Sequence, residues 1–263
     1  MPNELTLALE TSSRDGAIAV GRGDALLETR TLASNSRHAS ELLPATKELL
    51  ERHGARFLDL ELLIFSQGPG SFTGLRIAAA VATMAQSTTG CRVVAVPSLM
   101  VIASNALRHP AYPKRIVALL DAKSDRVYAT EYERSDTPAG DAHTHAVEES
   151  NLIEIRPSGV FPATEFLHSL TPPYALVGEG IAAYRAACEA VCGSASDAST
   201  GRMLLNEEYW PPRVENAYRL GRRLAAAGRV CTPEQIVPLY LRPPACEEVY
   251  EQRREEARRK RGE

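Results

Sequence analysis

The sequence predicts an α/β protein built of two similar lobes, and two observations lead to this fold class. Residues 5–10 and 116–121 are short apolar runs that end in an acid, and each is followed across a polar turn by a second extended run. Strand patterns alternate with helical patterns in both halves, as is typical of α/β proteins. We therefore predict a first lobe over residues 1–107, a second lobe over 108–242 and a charged tail over 243–263.

Composition and charge narrow the class of protein. The 263 residues are 44% hydrophobic and 24% charged, as in ordinary globular domains rather than disordered chains. A net charge of -3 argues against a general affinity for nucleic acid. We expect the basic residues after Gln252 to form a solvated tail, with a nucleic-acid contact as the alternative. The apolar runs are too short for a membrane span and the five cysteines are scattered, so we expect a cytoplasmic protein with reduced thiols, no secretory leader and no membrane contact.

The first lobe is predicted element by element along the chain. Extended runs separated by turn-forming residues predict an antiparallel meander over 5–10, 17–20 and 26–32. Apolar residues at helical spacing predict a helix over 42–53 that ends near Gly54. A strand at 62–65 follows, then the glycine-rich loop at 68–76 and the Ala-rich helix at 72–87. A strand at 93–96 and a helix at 98–107 complete the lobe.

The second lobe begins with the same pattern as the first. Its strands are predicted at 116–121, 126–132, 152–155 and 175–177, and its helices at 163–170, 181–191 and 213–227. The last of these helices follows Pro211 and Pro212, and from its place in the chain it can pack back across the lobes. We also predict a short edge strand over 236–242, and loops over 136–150 and 193–200.

The glycine-rich loop over 68–76 lies between a predicted strand and a predicted helix. Glycine adopts the positive φ of a tight turn, and a helix N-terminus offers N–H groups without helical partners, so such a loop can cradle an anion. It does not match a phosphate-binding P-loop, because Leu75 rather than a lysine follows Gly74. Its other role is to begin the helix, with Ser71 or Thr73 as the N-cap.

Short motifs along the chain occur in the order and spacing of one protein family: Leu9-Glu10-Thr11-Ser12, Arg37-His38, Leu42-Leu43-Pro44, Gly68 through Ile77, Asp121-Ala122-Lys123 with Val127-Tyr128, and Pro238-Leu239-Tyr240-Leu241-Arg242. On these motifs the sequence resembles the TsaB (YeaZ) family over residues 4–242. The resemblance implies an actin-like fold (ASKHA, RNase H-like) of two duplicated lobes, with mixed sheets flanked by helices. The chain departs from the family at Glu10 and Lys123, where the family usually has Asp and Arg, and it lacks the small residue usual after Pro212.

The resemblance also implies a function. Members of the family are non-catalytic cytoplasmic subunits that pair with a catalytic paralogue, TsaD, and the complex transfers a threonylcarbamoyl group to N6 of adenosine 37 in tRNA. The resemblance further implies an ATPase partner, TsaE, a homodimer in isolation, and contact with tRNA only through the complex. We therefore expect a scaffold or dimerisation subunit rather than an enzyme. The alternative is a small-molecule kinase or ATPase of the same fold.

Candidate ligand-binding residues follow from comparison with kinases of this fold, which hold a magnesium nucleotide beside an acid at the end of each lobe's first strand. In this chain the residues that follow both acids carry side chains, whereas glycines at those positions would let phosphates approach the backbone. We therefore expect no required cofactor and no catalytic residue, and ATP or ADP contact only at a partner interface. A metal is not expected either, since His38 has a leucine one helical turn further on. The vestigial nucleotide or anion site would comprise Glu10, Gly68, Gly70, Ser71, Thr73 and Asp121.

A candidate partner surface is predicted on the helices at 42–53 and 72–87. The second of these helices is apolar around more of its circumference than one sheet face can bury. We expect part of its surface to form a helical interface with the paralogue or with a second copy of the chain. The residues predicted for this interface are Leu42, Leu49, Leu50, Ile77, Ala78, Val81 and Ala82. The alternative is that these side chains face the protein's own sheet.

Overall fold

The computed structural model describes residues 3–32, 38–110, 113–134, 152–193 and 201–242. The predicted loop at 136–150, the loop at 193–200 from residue 194 onward, and the tail at 243–263 lie outside the described residues. So does Arg37 of the Arg-His motif, together with the side chain of His38. Within the described ranges the chain forms two five-stranded mixed sheets flanked by helices.

The first sheet has the strand order β3-β2-β1-β4-β5. Its first three strands form the predicted antiparallel meander, and β4 and β5 then add in parallel beside β1. Short polar turns join the antiparallel strands, whereas each parallel strand needs a helical crossover to return in the same direction. The strands are β1 (Leu5–Glu10), β2 (Ala17–Arg22), β3 (Ala25–Thr31), β4 (Leu62–Gly68) and β5 (Arg92–Pro97).

The second sheet repeats this connectivity. Its strands are β6 (Arg115–Asp121), β7 (Arg126–Arg134), β8 (Leu152–Pro162), β9 (Tyr174–Val177) and β10 (Arg202–Leu204). Strands β8, β7 and β6 pair antiparallel, and β9 and β10 continue in parallel, so the order β8-β7-β6-β9-β10 is that of the first sheet. The duplicated, two-lobe, actin-like fold is confirmed.

Seven helices are described: α1 (His38–Arg52), α2 (Phe72–Thr89), α3 (Ser98–Ala103), α4 (Ala163–His168), α5 (Gly180–Ala183), α6 (Arg185–Cys192) and α7 (Val214–Ala226). Short 3₁₀ turns lie at Phe57–Asp59, Ser104–Arg108, Glu207–Tyr209 and Pro233–Gln235. None of these helices combines the length and the hydrophobicity that a membrane crossing requires.

Helices α1 and α2 cover one face of the first sheet and enclose the largest apolar core. The α2 helix begins at Ser71, whose hydroxyl accepts a hydrogen bond from the Gly74 N–H at 3.3 Å, and it ends at Gly90 in the left-handed conformation. The Ser71 cap was one of the two that the sequence predicts. Apolar side chains from β1, β2 and β4 fill the space below both helices.

Helix α7 lies on the opposite face of the first sheet, although it follows the second lobe in sequence. A Cβ added to Gly221 would overlap Ile64, so the glycine lets the helix approach β4 closely. The Tyr218 hydroxyl donates a hydrogen bond to the Gly23 carbonyl oxygen at 2.7 Å. Helix α3 contacts both lobes, because Val101 joins the core beneath α7 whereas Leu99 packs in a core with β6. Helix α3 therefore lies between the two sheets, and α7 packs beside it on the first sheet.

Several predicted elements differ from the structure, among them a helix, an edge strand and the segment at 236–242. The helix predicted at 181–191 is two helices, because Tyr184 adopts φ -120° and ψ 30°. Strand β8 extends well past the predicted residue 155, since an edge strand with irregular pairing tolerates Pro157. The segment 236–242 forms no strand, as Pro238 interrupts it and Leu239 alone donates its N–H to β4, at Gln67.

Candidate functional site

The glycine loop packs directly on the end of β1. The Ser71 N–H donates to the Ser12 carbonyl oxygen at 2.7 Å, and the Thr11 hydroxyl donates to the Gly74 carbonyl oxygen at 2.8 Å. A Cβ added at Gly70 or Gly74 would overlap the backbone of Ser12 or Thr11. These glycines therefore serve the contact between loop and strand, and the Ser71 amide that could have faced an anion is already bonded.

Glu10 ends β1 and is fully buried. One of its carboxylate oxygens accepts hydrogen bonds from the N–H of Ser12 at 2.8 Å and from its hydroxyl at 2.5 Å, and the other accepts from the Ser66 hydroxyl. Burial raises the pKa of Glu10, and the hydrogen bonds from Ser12 and Ser66 oppose that rise. Because both oxygens bond to donors of the same lobe, the side chain is enclosed rather than directed at a ligand.

Asp121 ends β6 and is the counterpart of Glu10 in the second lobe. The Lys123 N–H donates to one carboxylate oxygen at 2.7 Å and the Lys123 ammonium lies 2.5 Å from the other. Partial burial would favour the neutral acid, but the hydrogen bonds and the charge of Lys123 outweigh it and lower the pKa of Asp121. Residues 123–125 all have positive φ, so the turn curls its own lysine onto the acid.

Glu179 is an acid that the sequence reasoning missed. It is half-buried after β9, and burial together with the charges of Asp15 and Glu10 raises its pKa. The side chain thus lies where the two lobes face each other. Its neighbours Gly178 and Gly180 lie against the backbone of β6 as the first glycine loop lies against β1. The duplication is the sequence signal that could have found it, because 178–180 follows β9 as the glycine loop follows β4.

The predicted nucleotide site is therefore brought together only in part. Gly70 and Ser71 lie against Ser12 after β1, Gly68 lies against Leu239, and Thr73 is exposed on the first turn of α2. Phosphates placed between the lobes would meet acids from both sides, whereas nucleotide sites need donors or a cation. Among the residues that the structure describes, no three His, Cys, Asp or Glu side chains are grouped so that they could hold a metal ion.

The residues predicted for the partner interface require correction. Leu42, Leu49, Leu50, Ala78, Val81 and Ala82 are all buried in the core of the first lobe, and Ile77 alone is partly exposed. The alternative interpretation holds for those six side chains, because α1 and α2 turn their large apolar stripes toward the sheet. That these helices carry a partner interface stays a prediction, but those six side chains do not form its surface.

A second apolar stripe does face outward on the same helices. Leu43 of α1 is 41% exposed and Met84 of α2 is 37% exposed, and Ala80 and Thr83 also lie on the outer side of α2. We call Leu43, Ile77, Ala80, Thr83 and Met84 the outer helix face. Such uncharged, small and flexible side chains allow another helix to approach closely.

The chain is similar to known proteins over most of its length. Residues 31–248 match the family described as TsaD, tRNA N6-adenosine threonylcarbamoyltransferase. The tRNA threonylcarbamoyladenosine biosynthesis protein TsaB of Escherichia coli is 24% identical over 90% of this chain and 94% of its own length. TsaB of Haemophilus influenzae is 30% identical over 51% of this chain and 56% of its own.

Solved structures agree in fold. YeaZ from Pseudomonas aeruginosa superposes with a TM-score of 0.69 at 23% identity, over 90% of this chain and all of its own. A second structure, described as an uncharacterized protein with similarity to the peptidase YeaZ from the same organism, has a TM-score of 0.71, also at 23% identity, over 91% of this chain and all of its own. Because the family match spans most of its length, the chain belongs to the TsaD family, and it is similar within that family to the TsaB (YeaZ) proteins.

Proposed function

We propose that this chain is a non-catalytic scaffold subunit in the synthesis of N6-threonylcarbamoyladenosine in tRNA, where it supports a catalytic TsaD paralogue. The observation that carries this proposal is the contrast between the two candidate sites. The acids at the ends of β1 and β6 are bonded to donors of their own lobes, whereas the outer helix face leaves apolar side chains in solvent. The chain thus offers a surface for a partner rather than groups for chemistry.

The proposed partner surface has a definite location. Helices α1 and α2 lie side by side on the first sheet, so a pair of helices from the paralogue could pack on their outer sides as a four-helix arrangement. A stable interface of this kind buries about 1,600 Å² in total. In the absence of the paralogue, a second copy of the chain would use the same face to form the homodimer.

Other parts of the proposal rest on the family and on composition. The ATPase TsaE joins the complex, the chain contacts tRNA only through the complex, and the protein acts in the cytoplasm. ATP or ADP contacts the chain only where a partner completes the site. Acidic side chains lie between the lobes and repel phosphates, so a nucleotide bound there needs a cation or hydrogen-bond donors from the partner.

Reconstitution tests the proposed function. The chain is added to the catalytic paralogue, TsaE, threonylcarbamoyl-adenylate and tRNA, and modified adenosine is measured with and without it. We expect modification to depend on the chain and to survive Glu10→Gln, if the folded protein is retained. Modification that proceeds equally well without the chain would refute the scaffold role.

The alternative function, a small-molecule kinase or ATPase acting alone, has a separate test. Calorimetry with magnesium ATP and turnover by the isolated chain measure it directly. We expect neither tight binding nor turnover, since Glu10 is enclosed by Ser12 and Ser66. Turnover that Glu10→Gln abolishes would establish the enzyme and overturn the scaffold proposal.

A further inference from the structure

The segment that follows α7 runs along the first lobe without forming a strand. The Cys231 N–H donates to the Val93 carbonyl oxygen of β5 at 2.8 Å, and Ile236 is buried in the core beneath α1 and α2. The Leu239 N–H then donates to the Gln67 carbonyl oxygen at the end of β4, at 2.8 Å. The segment is therefore attached to the first lobe along most of its length.

Tyr240 attaches the segment to the start of α2. Its hydroxyl accepts a hydrogen bond from the Arg76 Nε at 2.9 Å, and its ring centroid lies 5.2 Å from that of Phe72. The Arg76 guanidinium lies over the Phe72 ring, 4.0 Å from its centroid. Both rings stay near 40% exposed, so this is a surface contact held by stacking and one hydrogen bond.

Arg242 attaches the same segment to the second lobe. One of its guanidinium nitrogens donates to the Ala122 carbonyl oxygen at 2.5 Å and to the Lys123 carbonyl oxygen at 3.2 Å. Both carbonyls belong to the turn between β6 and β7. The two attachments are two residues apart, yet they lie on different lobes.

The segment also passes the place where the lobes meet. A Cβ added to Gly68 would come within 2.8 Å of the Leu239 carbonyl oxygen, so the chain lies directly on the glycine loop. Elsewhere the lobes are joined by α3, whose side chains enter cores of both sheets. We infer that residues 237–242 are a latch that holds the two lobes in one relative orientation. Tyr240 is its anchor on the first lobe and Arg242 is its anchor on the second.

Hydrogen exchange on the isolated full-length chain tests the latch without any partner. The readout is exchange of the amides in the β6–β7 turn, whose Ala122 N–H bonds to the Arg126 carbonyl oxygen. We expect Arg242→Ala to speed this exchange about tenfold, as for loss of a hydrogen bond to a charged donor. Arg242→Lys should give an intermediate rate, because one ammonium replaces the wider guanidinium fork.

The specific expectation is that the two anchors are coupled. Tyr240 contacts the first lobe, yet a latch predicts that Tyr240→Ala also speeds amide exchange in the β6–β7 turn of the second lobe. The double variant should exchange there little faster than Arg242→Ala alone. Arg115→Ala is the matched control, since Arg115 donates to the Thr171 carbonyl oxygen and both residues lie in the second-lobe region of the chain. It should leave the turn unchanged.

Three results would overturn the latch. The first is unchanged exchange in the turn for Arg242→Ala. The second is a rise in that variant but not in Tyr240→Ala, which would make Arg242 a local contact. The third is an equal rise in Arg115→Ala, which would reflect general destabilisation. Since no partner is present, none of these results bears on the scaffold proposal.

Discussion

Thr11 and Gly74 join the end of the first strand to the first turn of α2, with the Thr11 hydroxyl donating to the Gly74 carbonyl oxygen at 2.8 Å. The approach is so close that a Cβ on Gly74 would overlap the Thr11 carbonyl oxygen. The loop that resembles a phosphate cradle in sequence is thus a joint between strand and helix. Its glycine is required by a neighbouring backbone rather than by a ligand.

This contact predicts a severe effect of Gly74→Ala. The added methyl group must displace either the helix or β1, and overpacking of this kind costs about 3 kcal/mol in the free energy of unfolding. Urea denaturation measures it. Gly90→Ala is the matched control, because Gly90 has a positive φ but open space around it, and should cost about 1 kcal/mol. Equal losses in the two variants would contradict the packing argument.

The two faces of α2 predict opposite outcomes for neighbouring substitutions. Ala80→Arg places a charge on the outer helix face, so we expect an unchanged melting temperature but loss of co-purification with the paralogue. Val81→Arg places the charge in the core, so we expect a misfolded chain. Thr164→Arg, at an exposed position of α4 on the other lobe, is the control and should retain binding. Binding that survives Ala80→Arg would move the interface elsewhere.

Burial of Glu10 predicts a pH dependence of stability. Because the pKa of Glu10 is raised, the folded state keeps its proton at pH values where the unfolded state has lost it. The contribution of Glu10 to stability is therefore full below pH 4.5, the ordinary pKa, and falls as pH rises through the pKa of the folded state. Relative to Glu10→Gln, the free energy of unfolding of the wild type should fall over this pH range. Glu165→Gln, on the exposed surface of α4, should follow the wild-type profile. Parallel profiles for wild type and Glu10→Gln would contradict the prediction.

The ion pairs of Glu4 predict a large loss of stability. Glu4 is buried and pairs with Arg92 at 2.5 Å and with Arg222 of α7, so the pairs join the N-terminal strand to the returning helix. Glu4→Ala removes the buried carboxylate that faces the largely buried Arg222 guanidinium and leaves it a longer pair, at 3.6 Å, with the exposed Asp24, so we expect a loss of about 3 kcal/mol. Chemical denaturation measures the loss. Glu48→Ala, which removes an exposed pair with Arg30, should change stability little, and a comparable loss there would refute the distinction.

The sequence by itself determined most of the elements and their order. Alternating and helical periodicities depend on local side chains, so β1, β2, α2 and the repeated beginning of the second lobe were predictable within a few residues. The glycine loop and its Ser71 cap were equally visible, because turns and caps are set by a few adjacent residues. The glycine loop, together with the weaker motifs that occur in order along the chain, was enough to indicate the family.

Only the tertiary structure decided which groups those elements bring together. An apolar helix with two usable stripes does not reveal which one meets the sheet, so six of the seven predicted interface residues proved to be core and only Ile77 lies on the outer helix face. The return of α7 to the first sheet, the position of Glu179 between the lobes, and the two anchors of the segment 237–242 all join residues far apart in the chain. Such contacts depend on the packing of whole elements, which local propensity does not encode.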